Sequence, residues 1–577
     1  MSKKKPEETP EPVYVGPMAS QSQRAVRETI ESIVIAFILA FLFRTFEAEA
    51  FVIPTGSMAP TLHGMHKDLE CPQCGTTYRV GASQESPDEA GRMRLPQGAS
   101  PPKVEDGICP QCGYVRHDLA REPSYGGDRI LVNKFAYQLA EPERWDVIVF
   151  RFPGDAKMNY IKRLIGLPNE IIEIFGGDIF TRPIDAAGGP LAIARKPHRK
   201  LRAMLQHVDD NHHIPKMLND AGWPRRWQAD PDNPAGELEE VLDEEPFRAD
   251  GHDGVRLAQR WKAAGDHPDV PARIEFRHFF ADQRNWDKAY RHVSAGREGL
   301  AWQPHEPISI GTISDFYSYN TGNLGRYESK DKHWVGDLAV SCDVDVAERQ
   351  GKLTLVLEEG GYQFRAVFDF EKGAVALEIA GHDDLKRLLP FGDDRQGSTR
   401  PTAVNAVALT GKHKLMFANC DDKLYVWIDD KPVEFDGPTE YASLGNDEST
   451  PDDLVPAQIA MRGFKGSIDR IGLERDVYYI ALRHNGEDEK VPPPIPVRRD
   501  DQGRPISAAF KTGPDQFFAL GDNSPESKDG RIWNDEVPGT PHVVDRRLLI
   551  GKALFIYWPY GQLLPRLPLF ERFKLIR

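Results

Sequence analysis

The chain has 577 residues, of which 40% are apolar and 28% charged, so it is long enough to bury two or three hydrophobic cores. Its formal net charge of −15 argues against nucleic acid or an anionic lipid surface as the main partner. The 49 glycines and 46 prolines are typical of loop-rich β domains. We therefore expect a mainly β protein of several domains that binds no nucleic acid.

An apolar stretch near the N-terminus predicts a membrane anchor. Residues 33–43 are all apolar, which is shorter than the ~20 residues that cross a bilayer. Residues 29–47 can still cross if Glu31 and Arg44 lie at opposite headgroups. The alternative is a cleaved secretory signal, whose apolar region is ~7–15 residues long. Cleavage after Ala50, however, would detach the strand that follows.

The residues before this anchor predict its orientation. Residues 1–28 are expected to form a disordered tail, because their first part is rich in proline, glutamate and lysine. Their lysines and arginines keep this tail cytoplasmic by the positive-inside rule. The sequence therefore predicts a single-pass protein of the inner membrane that contacts lipid through its anchor and carries the rest of the chain outside the cytoplasm.

A serine on a tight turn follows the anchor. In Phe51-Val-Ile-Pro-Thr-Gly-Ser57, Pro54 and Gly56 punctuate the backbone after an extended apolar run, so Ser57 can project from the end of a strand. A serine hydroxyl is a weak nucleophile at neutral pH and needs a base within hydrogen-bond reach. His63 and His66 follow shortly after, but we expect them to be surface or metal-adjacent loop residues and not members of a catalytic triad.

Two identical pentapeptides, Cys71-Pro-Gln-Cys-Gly75 and Cys109-Pro-Gln-Cys-Gly113, predict a structural zinc site. Each pair of cysteines puts two thiolates on a tight turn, and two such turns complete a tetrahedral site with no position for water. The alternative is a pair of disulfides, which an oxidising compartment would favour. We expect residues 68–118 to form a zinc-ribbon-like insertion, with zinc held by Cys71, Cys74, Cys109 and Cys112.

Lys162 interrupts an apolar run that is typical of a strand, Asn159-Tyr-Ile-Lys-Arg-Leu-Ile-Gly166. If Lys162 is buried in this run, desolvation disfavours its ammonium form and lowers its pKa, which suits a general base. The alternative is an outward-facing lysine on an alternating strand. A Ser/Lys pair can transfer an acyl group without histidine and without a catalytic cofactor.

Residues 190–485 predict an inserted β-sandwich. Strands with one buried face recur after Trp334, with turn residues between them. They are expected at 338–346, 352–358, 362–369 and 374–379. Residues 412–430 and 466–472 resemble concanavalin/laminin-G-like jelly rolls. Such a sandwich often binds a carbohydrate or a protein on its concave face, and a spacer without a ligand is the alternative.

Three features of this insertion are less regular. The charged stretch 230–253 is predicted to be a loop. The acidic residues Asp421, Asp422, Asp429 and Asp430 favour hairpin turns over metal ligands. Cys342 and Cys420 fall on expected strands of the module, and they are either buried thiols or one inter-strand disulfide.

The segments around Ser57 and Lys162, together with Gly127-Asp-Arg-Ile-Leu-Val-Asn-Lys-Phe135 and Ala519-Leu-Gly-Asp-Asn-Ser-Pro-Glu-Ser-Lys-Asp-Gly-Arg-Ile-Trp533, closely resemble the bacterial type I signal peptidases. The sequence boxes of this family appear here in order. The resemblance implies a signal-peptidase-type β catalytic domain, divided by the insertions into residues 48–180 and 505–577. It implies that Ser57 is the acylating nucleophile and Lys162 its general base.

The same resemblance implies supporting roles. Thr55 matches the hydroxyl that helps the Ser57 N–H stabilise the oxyanion, and Ser527 matches the serine that orients the lysine. Structural ion pairs are implied between Asp522 and Arg163 and between Asp529 and Arg531. A preprotein substrate would lie extended as an added strand, beside Phe51, Ile53, Pro54, Tyr160 and Ile161.

The sequence therefore predicts a membrane-bound serine endopeptidase that cleaves signal peptides from exported preproteins. One alternative is a cell-surface binding protein with a relict peptidase domain, which the joint presence of Ser57, Lys162 and Ser527 disfavours. Another is a cytosolic self-cleaving regulator, which the predicted anchor disfavours. We also expect the β-sandwich to be an excursion from a surface loop, so that its removal leaves a folded peptidase.

Overall fold

Antiparallel β-sheets dominate the protein, as predicted. The computed structural model describes residues 21–46, 48–86, 102–186, 189–249, 251–296, 299–303, 308–322, 332–381, 384–446, 448–481, 507–533, 542–558 and 575–576. The α-helices are α1 (Gln21–Phe46), α2 (Ala136–Leu139), α3 (His198–Met204), α4 (Lys216–Asp220) and α5 (Gln283–Ser294). The short 3-10 helices are Gly56–Met58, Ser83–Glu85, Leu119–Arg121, Ser318–Gly322, Pro451–Leu454, Ser524–Glu526, Gly530–Ile532 and Arg546–Leu548.

The strands fall into three stretches of the chain. The first stretch contains β1 (Ala48–Val52), β2 (His66–Glu70), β3 (Thr77–Gly81), β4 (Gly107–Ile108), β5 (Val115–Arg116), β6 (Arg129–Asn133), β7 (Val147–Phe152), β8 (Asp155–Gly166), β9 (Glu170–Phe175), β10 (Asp178–Pro183) and β11 (Ala192–Ile193). The second contains β12 (Gln206–Asp210), β13 (Ile214–Pro215), β14 (Trp227–Ala229), β15 (Leu238–Ala249), β16 (His252–Ala263), β17 (Ala272–Phe276), β18 (Leu338–Val346), β19 (Lys352–Glu359), β20 (Tyr362–Asp369), β21 (Ala374–Ala380), β22 (Thr402–Ala403), β23 (Gly411–Asn419), β24 (Leu424–Ile428), β25 (Lys431–Pro432), β26 (Ala457–Arg462) and β27 (Gly466–Arg475). The third contains β28 (Ala508–Lys511), β29 (Gln516–Leu520), β30 (Val544–Asp545) and β31 (Leu549–Trp558).

Helix α1 covers the predicted anchor but begins earlier, at Gln21, so the last part of the predicted disordered tail is helical. Residues 1–20 lie outside the described residues. The described side chains of α1, at 25–38, are exposed and include Ile33, Ile35 and Phe37. No helix in the described part of the chain is both long enough and apolar enough to cross a membrane. The membrane span stays a prediction.

The first and last stretches of the chain build shared sheets. One sheet has the order β1-β6-β31-β7-β8-β29-β30, and a smaller one has the order β11-β10-β9-β28. The C-terminal strands β28, β29 and β31 therefore lie between or beside strands from the first stretch. Buried Ile53, Met58, Ile130, Val149 and Ile556 form one core of this part. The catalytic domain implied by the resemblance thus needs both halves of the chain.

The second stretch forms a sandwich of two antiparallel sheets. One sheet contains β13-β16-β27-β18-β23-β24-β25 in that order, with β12 and β15 pairing at its side, and the other contains β14-β17-β26-β19-β20-β21-β22. The largest core of the described residues lies between them, with Val340, Leu355, Phe364, Phe417 and Ile468 among its members. The four strands expected after Trp334 all form, at β18, β19, β20 and β21.

The predicted loop at 230–253 is wrong. Its second half, β15, pairs along its whole length with β16 in a long hairpin. Charged residues recur along both strands and pair across them, as Glu239 does with Lys262 at 3.2 Å and Glu245 with Arg256 at 3.1 Å. Opposite charges that face each other stabilise a strand pair without an apolar pattern, and this is why the composition indicated a loop.

Two other expectations about the insertion can be compared with the structure. Asp421, Asp422, Asp429 and Asp430 all have positive φ angles of 52–63°, which confirms their place in tight turns. Cys342 and Cys420 are both buried free thiols, so the inter-strand disulfide does not form.

A buried lysine joins the sandwich to the catalytic part. The ammonium group of Lys196, which follows β11, lies 2.6 Å from Asp421 and 2.7 Å from Asp476. All three side chains are at most 2% exposed. Although burial opposes the charge of Lys196, these carboxylates hold its pKa well above the usual value. Asp178 on β10 adds to the same acidic surroundings.

We expect Lys196→Met to lower the unfolding midpoint in guanidinium chloride, because it leaves two carboxylates buried without their cation. Breaking a buried ion pair typically costs about 3–5 kcal/mol. Lys262→Met is the matched control, since its ion pair with Glu239 is more than half exposed and should contribute little. Equal midpoints for the two variants would show that Lys196 does not hold the parts together.

Candidate active site and cysteine cluster

Ser57 lies in the 3-10 turn Gly56–Met58, directly after β1, and is 7% exposed. The residue before this turn, Thr55, is extended with φ −118° and ψ 158° and is half-buried. The turn is closely packed, because a Cβ added at Gly64 would overlap the carbonyl group of Thr55. The predicted serine therefore sits on a tight turn at the end of a strand.

Lys162 lies on β8, opposite Ile148 of β7, and its ammonium nitrogen donates to the hydroxyl of Ser57 at 2.7 Å. The lysine side chain is buried, with the residue 4% exposed. Burial lowers the pKa of Lys162 to about 8, and the charges of Asp529 and Asp522 only partly oppose this shift. The outward-facing alternative is therefore excluded, and the predicted pair is in contact.

The sheet is open between the strands that carry these two residues. Among the described strands, β1 pairs only with β6, and β29 pairs with β8 only from Arg163 onward. Among the described strands, β7 is the partner of β8 along residues 159–162. The residues predicted to contact substrate flank this opening. Phe51, Tyr160 and Ile161 are half-buried, Ile53 is buried and Pro54 is exposed.

The predicted pair Arg163–Asp522 is a fully buried bidentate ion pair. The guanidinium donates to both carboxylate oxygens at 2.6 Å, and both side chains are 0% exposed. Arg163 also donates to the Trp145 carbonyl at 2.8 Å, and the hydroxyl of Thr61 donates to Asp522 at 2.5 Å. Such a satisfied pair orients both partners, and it fixes β8 relative to the loop after β29.

The second predicted pair, Asp529–Arg531, holds that loop. Arg531 donates twice to Asp529 at 2.8 Å. Burial opposes the ionisation of Asp529, but Arg531, the Gly521 N–H and the Ser527 hydroxyl keep its pKa below the usual value. Ser527 is fully buried, and a Cβ at Gly521 would overlap both the Ser527 hydroxyl and the Ser57 carbonyl. The role of Ser527 toward Lys162 stays a prediction.

The two nearby histidines are buried, so the expectation that they lie at the surface is wrong. His63 is 6% exposed and His66 is fully buried. The His66 ring lies 2.7 Å from the Gly64 carbonyl and 3.4 Å from Asp68, while the His63 N–H donates to Asp128 at 2.8 Å. Turn residues and neighbouring strands cover both rings, which the short spacing after Ser57 does not reveal.

Several residues that shape the site were not predicted. Thr61 and Trp145 contact Arg163 or Asp522, and Asn523 donates from its backbone N–H to the Ser57 carbonyl at 3.1 Å. Asn523 stands beside Asp522 in the last sequence box, so its place there was a usable signal. Asn320, which contacts Asn523, lies in the insertion, where the sequence offers no such signal.

The four predicted cysteines converge. Cys71 and Cys74 lie at the turn of the β2–β3 hairpin, and Cys109 and Cys112 lie at the turn of β4–β5. Their sulfur atoms all lie within 4.8 Å of one another, and all four residues are buried. The sulfurs of Cys71 and Cys112 are 3.6 Å apart, and those of Cys74 and Cys109 are 3.7 Å apart.

These distances distinguish the two predicted states. All four cysteines are free, and a disulfide would need sulfurs ~2.05 Å apart. A tetrahedral zinc site with Zn–S bonds of ~2.3 Å has sulfurs about 3.8 Å apart. Gly75 and Gly113 have φ angles of 68° and 73°, and each closes its turn with a hydrogen bond to the first cysteine of its pair. The donor set and its spacing therefore fit zinc.

The insertion surrounds this cysteine cluster. Trp286 on α5 donates to the Cys112 carbonyl at 3.1 Å, and the His213 ring lies 2.9 Å from the Cys74 carbonyl. Gln111 donates to Asp209 of β12 at 2.9 Å. The two hairpins thus pack between the active-site turn and the sandwich.

Comparison with solved structures finds only weak likeness. A galectin, LEC-6 of Caenorhabditis elegans, has a TM-score of 0.16 and 8% identity, and it covers 24% of this chain and 82% of its own. The carbohydrate binding module CBM66 from Bacillus subtilis has a TM-score of 0.19 and 7% identity, and it covers 41% of this chain and 94% of its own. Scores this low carry no argument about a ligand.

Comparison of sequences is more informative. A family model described as signal peptidase, peptidase S26, matches residues 118–216, a stretch that contains Lys162 but not Ser57. Signal peptidase I of Pseudomonas fluorescens is 31% identical over 17% of this chain and 41% of its own length. Signal peptidase I of Aquifex aeolicus is 47% identical over 11% of this chain and 25% of its own length. Signal peptidase I of Rickettsia bellii is 26% identical over 28% of this chain and 41% of its own length.

The chain thus spans less than half the length of each of these curated relatives. The family match and the relatives together support the predicted resemblance to the type I signal peptidases, and with it a protease.

Proposed function

We propose that this protein is a serine endopeptidase that cleaves signal peptides from exported preproteins, with Ser57 as nucleophile and Lys162 as general base. The observation that carries the proposal is the buried contact of 2.7 Å between the Lys162 amine and the Ser57 hydroxyl. A buried lysine with a lowered pKa has a neutral fraction near pH 8 that can accept a proton. The similarity to signal peptidase I supplies the substrate class.

Acylation begins when the neutral amine of Lys162 takes the proton of the Ser57 hydroxyl while its oxygen attacks the scissile carbonyl. The carbonyl oxygen becomes an oxyanion, which the Ser57 N–H and the Thr55 hydroxyl stabilise. A single oxyanion donor typically contributes ~2.7–4 kcal/mol to the transition state. The tetrahedral intermediate then collapses as Lys162 returns the proton to the leaving amine, which departs as the N-terminus of the mature protein, while the signal peptide remains bound to Ser57 as an ester through its C-terminal carbonyl.

Deacylation uses the same base. Lys162 takes a proton from water, whose oxygen attacks the ester carbonyl, and it returns that proton to the Ser57 oxygen as the acid leaves. The enzyme is thereby restored with no net change in its protons. Arg163–Asp522 and Asp529–Arg531 take no part in proton transfer, and they hold β8, which carries Lys162, and the loop after β29 in place.

The opening in the sheet fits an extended substrate. A preprotein segment beside residues 51–54 and 159–162 can extend the sheet as an added strand between β1 and β8. Phe51, Ile53, Pro54, Tyr160 and Ile161 would line its side-chain positions. The exposed apolar side chains of α1, such as Ile35 and Phe37, fit contact with membrane lipid, which suits an enzyme acting on membrane-inserted signal peptides.

Cys71, Cys74, Cys109 and Cys112 would hold one structural zinc ion, since their spacing fits four thiolate ligands. With all four positions taken by cysteine, the ion has a structural role and joins the two hairpins. The reaction itself uses only side chains and water.

Ser57→Ala and Lys162→Ala should each abolish cleavage of a model preprotein by the purified full-length chain while the unfolding temperature stays close to wild type. The double variant should lose almost nothing more, because the two residues act as a unit. Lys511→Ala, which removes an exposed lysine at the end of β28, is the control and should remain active. Substantial cleavage by either folded single variant would exclude this mechanism.

The value of kcat/KM should rise about tenfold per pH unit on the acid side and level off above about pH 8. The reason is that Lys162, whose pKa is lowered to about 8 by burial, acts only when neutral. A profile measured between pH 5 and 10 with the model preprotein tests this. A rate that keeps rising toward the ~10.4 of free lysine would show that the base is not desolvated.

Elemental analysis of the purified protein should find one zinc per chain. Cys74→Ser combined with Cys112→Ser should lose the metal, because one ligand is removed from each hairpin. The double variant Cys342→Ser, Cys420→Ser changes two buried thiols of the sandwich and should keep it. Protein without zinc whose mass spectrum shows cross-linked cysteines would favour the disulfide alternative.

A further inference from the structure

A short segment of the insertion reaches the nucleophile. The 3-10 helix Ser318–Gly322 lies beside the active-site turn, and the ring of Tyr319 packs against Gly56 so closely that a Cβ there would overlap it. Tyr319 is 4% exposed. The helix is also tied to the zinc-ribbon-like part, because the Ile108 N–H donates to the Thr321 hydroxyl at 3.0 Å.

From this helix, Asn320 makes a reciprocal pair of hydrogen bonds. Its side-chain Nδ2 donates to the side-chain Oδ1 of Asn523 at 2.8 Å, and the side-chain Nδ2 of Asn523 donates back to the Oδ1 of Asn320 at 2.8 Å. Each asparagine side chain therefore donates one hydrogen bond to the other and accepts one from it. This pairing fixes the plane of the Asn523 amide, which would otherwise rotate about its terminal bond.

Asn523 in turn donates hydrogen bonds to two backbone carbonyls of the active-site turn, those of Gly56 and Ser57. Its side-chain amide also donates to the Gly56 carbonyl at 3.1 Å, and its backbone N–H donates to the Ser57 carbonyl at 3.1 Å. The Gly56 carbonyl and the Ser57 N–H belong to one planar peptide unit. A hydrogen bond that sets the direction of this carbonyl therefore also sets the direction of the Ser57 N–H.

We propose that Asn320 is a positioning residue supplied by the insertion, which orients the Ser57 N–H toward the oxyanion through Asn523. The proposal rests on the proposed peptidase function. Asparagine is the side chain of this length that offers both a donor and an acceptor in one plane. Aspartate at position 320 would place an acceptor against the Asn523 oxygen.

This role runs against the expectation that the insertion can be removed without loss. A linker in place of the sandwich would delete Asn320 together with Tyr319, and the active-site turn would lose both its covering ring and the partner of Asn523. The insertion is instead expected to be part of the working catalytic site.

The test compares Asn320→Ala, Asn320→Asp and Asn523→Ala in the full-length protein with a model preprotein. We expect kcat to fall about 10- to 100-fold in both Asn320 variants, the size of loss that follows from a misdirected oxyanion donor. KM and the unfolding temperature should stay equal to those of the wild type within experimental error.

The double variant Asn320→Ala, Asn523→Ala should be no slower than Asn523→Ala, because the two residues act in series. Asn219→Ala, which removes a half-buried amide elsewhere in the insertion, is the matched control and should keep full activity.

Hydrogen exchange of the peptide containing residues 55–58, measured by mass spectrometry without substrate, gives a readout that does not need cleavage. Exchange should rise in both Asn320 variants and stay unchanged in Asn219→Ala. If the wild-type protein cleaves no preprotein, the proposed peptidase function is refuted. Hydrogen exchange of residues 55–58 in the Asn320 variants would still show whether Asn320 orders the turn of Ser57. Unchanged exchange, a wild-type kcat in Asn320→Ala, or losses that multiply in the double variant would each overturn the positioning role.

Discussion

The site depends on a buried amine, Lys162, that has no direct carboxylate partner among the described residues. Two carboxylates, Asp522 and Asp529, act on Lys162, but each is already bound by an arginine. Lys162 and Arg163 are neighbours on β8, so their side chains leave the strand on opposite sides. One reaches the serine and the other reaches the carboxylate. Burial dominates the pKa of Lys162, and the positive charge of Arg531 lowers it further.

A continuous set of contacts links this amine to the rest of the protein. The loop that carries Asp522 also carries Asn523, which holds the turn of Ser57. Asn523 meets the helix Ser318–Gly322, and that helix contacts the cysteine hairpins through Thr321. The hairpins are in turn packed against α5 and β12 of the insertion. The three parts predicted as separate modules therefore share one set of interfaces around Ser57.

The local motifs and the contacts implied by the family resemblance were readable from the sequence, and the contacts made by the insertion were not. Ser57, Lys162 and the four cysteines stand in short peptides whose residue types indicate their chemistry, and the structure brings each set together. The sandwich strands after Trp334 were predictable because they alternate over one buried face. The β15–β16 hairpin was missed because its pairing relies on charge. Asn320 and Lys196 were missed because an ordinary asparagine or lysine acquires meaning only from residues more than 200 positions away.

The order of strands in the catalytic sheets has a consequence for how the protein is made. Arg163 and its partner Asp522 are separated by 359 residues, with the whole sandwich between them. At ~5–20 residues per second, a ribosome needs roughly 20–70 s to synthesise that interval. During this time β8 lacks β29, and Arg163 lacks its counter-ion. The nascent chain consequently carries Ser57 and Lys162 long before it can assemble the loop that braces them, so this arrangement is completed only after residue 522 has been synthesised.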